Sequence, residues 1–234
     1  MRSLIGLGLL ASALCGCVTP PRGQPELRQT SWRDSGSRPP TLPEIRKLRA
    51  TLEQTAEMLR GDLRGDQWER RRAAHILELL RHDGSIAEFA LRAAFDVEPD
   101  PVNRAFMMRA FANFGEVEDE TMASIRRVFF WSEDPVLHTY AAGAIIALQP
   151  GGESAEEIQL LADHLNPDAH AGQEKTRSFW EARWASVYMV RKLRNEAPGF
   201  LEAVETLSEA PDAPPWVRKE ALFTLRALAT LRRR

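Results

Sequence analysis

The stretch EDPVLHTYAAGAIIALQPGG, Glu133 to Gly152, joins a polar turn to an alanine-rich amphipathic run and a Pro-Gly-Gly stop. With Asp134 set as position zero, Pro135 stands at 1, His138 at 4, Ala141 and Ala142 at 7 and 8, Ala144 and Ile145 at 10 and 11, and Leu148 at 14. These offsets trace one face of a helix. Aspartate at zero is suited to cap it, because its side chain can accept from the free N–H groups of the first turn. Proline at 1 gives up only a donor that had no helical partner.

The unit recurs. Thirty-four residues upstream stands DPVNRAFMMRAFANFG, with Asp100, Pro101, Arg104, Met107, Met108, Ala110, Phe111 and Phe114 at the same offsets. Another 34 upstream, DQWERRRAAHILELL supplies Asp66, Arg70, Ala73, Ala74, Ile76, Leu77 and Leu80. Downstream, FWEARWASVYMVRKL gives Arg183, Ser186, Val187, Met189, Val190 and Leu193, and PPWVRKEALFTLRAL gives Arg218, Ala221, Leu222, Thr224, Leu225 and Leu228. The five copies are spaced by 34, 34, 45 and 35 residues, the long interval containing the polar insert NPDAHAGQEKTRS, Asn166 to Ser178.

Position 4 is Arg in four copies and His in one, and positions 11 and 14 are large and apolar in all five. Small residues at 7, 8 and 10 let neighbouring helices approach, and the residues at 11 and 14 fill the seam. An arginine at 4 can bridge to carbonyls or carboxylates of the next unit, so the column reads as a stacking feature before it reads as a ligand clamp. Between the copies lie PEIRKLRATLEQTAEMLRG, SIAEFALRAAFDVE, ETMASIRRVFFWSE, SAEEIQLLADHLN and GFLEAVETLSE, each helical in its spacing and followed by turn chemistry. The expectation is an all-α chain, an α-solenoid of about five antiparallel helix pairs over residues 42–234.

These copies resemble HEAT repeats, in particular the short bacterial type whose second helix begins D-P-x-V-R and continues A-x-x-A-L. The resemblance covers residues 42 to 232 and implies a superhelix of stacked helix pairs. Some proteins similar to this type are bilin lyases. That chemistry does not suit an exported chain without a bilin context.

A search for catalytic chemistry finds little to place. The five histidines, 75, 82, 138, 164 and 170, show neither H-x-x-x-H nor H-E-x-x-H spacing, and G-x-S-x-G, P-loop and G-x-G-x-x-G patterns are missing. His164, Asp168 and His170 cluster in and before the insert, where they read as a solvated polar loop and not as a metal site. No cofactor is expected. A net charge of -2 gives no electrostatic footprint for nucleic acid.

What remains is surface. Offsets 2, 5, 9 and 12 lie opposite the core face of the second helices, and in these columns aromatic and Arg side chains concentrate toward the C-terminus. Trp184, Tyr188, Arg191, Trp216, Phe223 and Arg226 are the candidates for contact with a protein or peptide partner, being of the residue types enriched at hot spots. Two readings of Trp184, Tyr188 and Phe223 stay open: a binding face, or packing between units. An aromatic groove of this kind also admits a small molecule or an envelope polysaccharide.

The chain opens with MRSLIGLGLLASALCGC, a single charge followed by an apolar run too short to span a bilayer, as in a secretory signal peptide of residues 1–16. Leu14 to Cys17, LCGC, resembles the lipobox of bacterial lipoproteins. That resemblance implies cleavage before Cys17, lipid on Cys17, and, with Val and not Asp at 18, attachment to the outer membrane facing the periplasm. Residues 17–41, with five prolines after Val18 and no apolar periodicity, read as a flexible tether. Both cysteines lie in the leader region, so the folded domain must hold itself together by its core, without disulfides.

Overall fold

The structure, a computed structural model, describes Pro43 and residues 52–149, 155–166, 169, 175–193 and 197–231. Cys17, the tether, and Asp168 and His170 of the insert lie outside the described residues. Within them the chain is all-α, with no strand.

The helices are α1 (Leu52–Asp62), α2 (Gln67–Leu80), α3 (Glu88–Val97), α4 (Pro101–Phe111), α5 (Asp119–Trp131), α6 (Pro135–Leu148), α7 (Ala155–Leu165), α8 (Arg177–Val190), α9 (Leu201–Glu209) and α10 (Pro215–Leu231). The even-numbered helices are the five copies, and the odd-numbered ones are the runs between them. Short 3-10 turns, Arg81–Ala87 and Ala197–Phe200, lead into α3 and α9. Residues 85–87, expected as the start of α3, therefore belong to a turn.

The position-zero aspartates cap their helices. Asp66 accepts from the N–H groups of Trp68 and Glu69, and the Glu69 side chain accepts in return from the Asp66 N–H, which satisfies donors at both positions. Asp100 accepts from Val102 and Asn103, and Asp134 from Val136 and Leu137, each with proline at the first helical position. The fourth copy departs from the register. Its position zero is Phe179, and the cap has moved three residues back to Thr176, whose hydroxyl accepts from the Phe179 N–H.

Each odd-numbered helix packs on the even-numbered helix that follows it, and α2, α4, α6, α8 and α10 pack each on the next. α3 lies against α5, and α7 against α9. The approach of α6 and α8 is close where the sequence is smallest: a Cβ on Gly143 of α6 would stand 2.8 Å from the Met189 Cβ of α8.

Position 4 does structural work by more than one route. Arg70 donates twice to the Glu98 carboxylate ahead of the second copy, at 2.5 and 3.0 Å. This is the expected bridge to a neighbouring unit. Arg183 instead donates to the carbonyls of His164 and Asn166, closing the end of α7. Arg104 lies over the Phe95 ring and His138 against the Phe129 ring, each nine residues back on the preceding helix. Burial holds the His138 imidazole below its ordinary pKa, as expected of a packed side chain.

One expectation about the surface is overturned. The columns at offsets 2, 5, 9 and 12 are not an open groove in the middle of the chain. Val102, Ala105 and Arg109 of α4 and Ala112 at its C-cap are buried, as are Val136, Thr139, Gly143 and Ile146 of α6. Part of the reason is a contact between distant copies: α8 packs on α6 and reaches past it to α4 and α2, where the Tyr188 hydroxyl meets Arg109 and Glu78.

Candidate functional site

The inner face is occupied by charge. Glu78 stands at offset 12 of α2 and its side chain is 2 % exposed. Arg109, at offset 9 of α4, donates from Nη2 to Glu78 Oε2 at 2.7 Å and to the Tyr188 hydroxyl at 3.1 Å. The Tyr188 hydroxyl, on α8, donates to the other Glu78 oxygen. His75 Nδ1 is 3.1 Å from Glu78 Oε2. Lys192, in the turn after α8, is 3.5 Å from Glu78 Oε1 and donates to Asn113 at 3.3 Å. Three copies of the unit thus converge on one carboxylate.

Rings frame the cluster. Trp184 stacks on Tyr188 with centroids 5.6 Å apart, Tyr140 of α6 meets Tyr188 edge-on at 6.2 Å, and Arg109 lies over both the Tyr188 and Phe106 rings. Cations over the faces of aromatic rings are attracted by the ring quadrupole, more strongly once water is excluded.

The electrostatics follow from burial and neighbours. Burial alone would raise the Glu78 pKa. Arg109, the bond to His75 and the Lys192 charge outweigh it and pull Glu78 down to about 2. Burial raises the Tyr140 hydroxyl above its ordinary range against the pull of Arg109. Burial also lowers Lys192, with Glu78 working against it. The carboxylate is therefore ionised across the physiological range and fully engaged, an arrangement that holds helices together and leaves no proton to exchange.

The six residues singled out in the sequence divide. Tyr188 is buried, Trp184 is half-buried against it, and both belong to the cluster. Arg191 lies between, its guanidinium 2.7 Å from Glu220 and over the rings of Tyr188 and Phe223. Trp216 is half-buried near the start of α10. Phe223 and Arg226 are exposed on α10. With Lys219 and Leu222, also exposed, they stand at spacings of 3, 4 and 7, which is one face of the helix.

Lys192 escaped the sequence reading because it lies between register positions 11 and 14 of its copy. Arg109 carried a signal as the charged residue among the apolar inner positions Val102, Ala105 and Ala112, whereas Glu78 shares its column with Arg71 and His75 and did not stand out. His164 is tied into the packing, its ring nitrogen 2.9 Å from the Thr139 hydroxyl and 3.4 Å from that of Ser186. Among the described residues, no group of three or more His, Cys, Asp or Glu side chains could hold a metal ion, and no helix is long and apolar enough to cross a membrane.

No family model matches the chain, and no curated protein is significantly similar to it.

Proposed function

We propose that this chain is a HEAT-like α-solenoid carried on a bacterial lipoprotein anchor, and that it works without catalysis as a scaffold or assembly factor binding another protein in the cell envelope. Cys17 holds it to the membrane, the outer membrane facing the periplasm, and the tether of residues 17–41 gives the domain reach. The repeated capped unit and the stacking of each even-numbered helix on the next support the solenoid.

The observation that carries the binding role is the face of α10. Leu222 and Phe223 are 44 % and 57 % exposed, with Lys219 and Arg226 on either side of them. An exposed apolar pair flanked by cations suits an amphipathic segment bearing carboxylates. The polysaccharide alternative has less support, because Tyr188, half of its stacking platform, is buried.

A photo-crosslinking side chain at position 223, introduced in cells, tests the binding role. The expected result is a discrete protein adduct that disappears when Arg226 is changed to Glu. Adducts absent from positions 219, 222 and 223 alike would reject α10 as the docking face.

A further inference from the structure

The outer layer contains a gap of a different character. Between α1 and α3 lies a cavity of about 460 Å³, within the range of sites that take small molecules. It exists because α3 is stripped to alanine where its neighbours are larger. Ala93 and Ala94 line the cavity, while the corresponding positions are Leu59 and Arg60 in α1, and Arg127 and Val128 in α5. Phe89, Ala93 and Val97 follow one another at intervals of four, forming an apolar wall about 12 Å long at 1.5 Å per residue. Phe89 is 70 % and Val97 79 % exposed, so among the described residues this wall is largely uncovered, with Arg92 lying over the Phe89 ring.

Charge at the cavity is almost balanced, and the imbalance is informative. Arg70 is matched by Glu98 through two hydrogen bonds. Arg60 is matched by Glu57 and also donates to the Ile86 carbonyl. Arg64, exposed at the rim, has no ion pair or side-chain hydrogen bond among the described residues. Of the three guanidiniums lining the cavity, that of Arg64 is the unpaired one among the described residues, and with the apolar wall it fits a ligand with an apolar chain and a single negative charge.

We propose that this cavity binds a monoanionic amphiphile of the long-chain carboxylate class, with the chain along Phe89, Ala93 and Val97 and the carboxylate on Arg64. Burying the chain supplies the drive, and the guanidinium selects the head. The site is separate from α10 and stands or falls independently of the protein-binding proposal.

The test is calorimetric titration of the full chain with dodecanoate below its micellar concentration, with butyrate and dodecanol as comparisons. Saturable binding of one dodecanoate is expected, with butyrate undetected and dodecanol weaker. Arg64→Ala should weaken dodecanoate about tenfold, the loss of one charge-assisted contact. Ala93→Leu should fill the cavity and abolish binding, and Val97→Asp should do so through charge. All three positions are exposed, so thermal melting of the variants should match the parent. Failure of the parent to bind dodecanoate overturns the proposal, as does binding that Ala93→Leu and Val97→Asp leave unchanged. Equal affinity for dodecanol overturns the assignment of an anionic head.

Discussion

The Tyr188 hydroxyl donates a hydrogen bond to Glu78 across 110 positions of sequence, joining the first copy of the repeated unit to the fourth. Because this carboxylate is ionised, buried and matched by Arg109 and Lys192, its stability contribution has a definite pH dependence. The folded-state pKa of about 2 lies below the ordinary 4.5. The contribution is thus fully present above pH 4.5 and is lost as pH falls from there toward 2, amounting to about 3 kcal/mol in total. Urea unfolding at a series of pH values should show this loss. Glu78→Gln should flatten the curve over the same window while lowering stability at pH 7 by about 3 to 5 kcal/mol, since it leaves Arg109 buried without its counter-charge.

Removing the hydroxyl alone separates the bond from the ring. Tyr188→Phe keeps the stack on Trp184 and should cost about 1.5 to 3 kcal/mol, the usual range for a hydrogen bond to a charged group. In a double-mutant cycle with Glu78→Gln the two losses should fall well short of additive. Additive losses would mean that the residues are neighbours without being coupled.

Gly143 tests the close approach of α6 and α8. A methyl group there meets the Met189 Cβ at 2.8 Å, and a Cβ cannot swing aside as the end of a methionine can. Gly143→Ala should therefore destabilise by about 1 to 3 kcal/mol by overpacking, although alanine is the better helix former by about 1 kcal/mol. Gly143→Ala combined with Met189→Ala should recover part of the loss. An alanine variant as stable as the parent would place the helices further apart than described here.

Local chemistry explains what could be read ahead of the structure. Asp66, Asp100 and Asp134 cap as their place ahead of the apolar register implies, Asp100 and Asp134 with proline next in line, since a cap depends on three or four neighbouring residues. The inner columns could not be read this way. Periodicity reports which face of a helix is apolar, and it is silent about a helix arriving from 110 residues away. Even so, α6 held a hint. Thr139, Gly143 and Ile146 at its supposedly open positions leave it without a polar face, and such a helix is buried all round. The cavity at Ala93 arises from what is missing, and a small residue in a sequence does not say whether a neighbour fills the space it leaves.

The anchor is tested at Cys17. Cleavage before this residue and acylation of its thiol and amino group would supply several chains, each methylene contributing about 0.8 kcal/mol on burial. One chain alone binds membranes reversibly, whereas several together resist dissociation, so wild-type protein should stay in the membrane fraction through washes at high salt and alkaline pH. Cys17→Ser removes the proposed attachment point while leaving every described residue unchanged. Since no described helix can span a bilayer, that variant should either move to the soluble fraction or retain its uncleaved leader, which mass spectrometry of the N-terminus distinguishes. A variant that is cleaved at the same place and still resists both washes would show that something other than lipid on Cys17 holds the protein to the membrane.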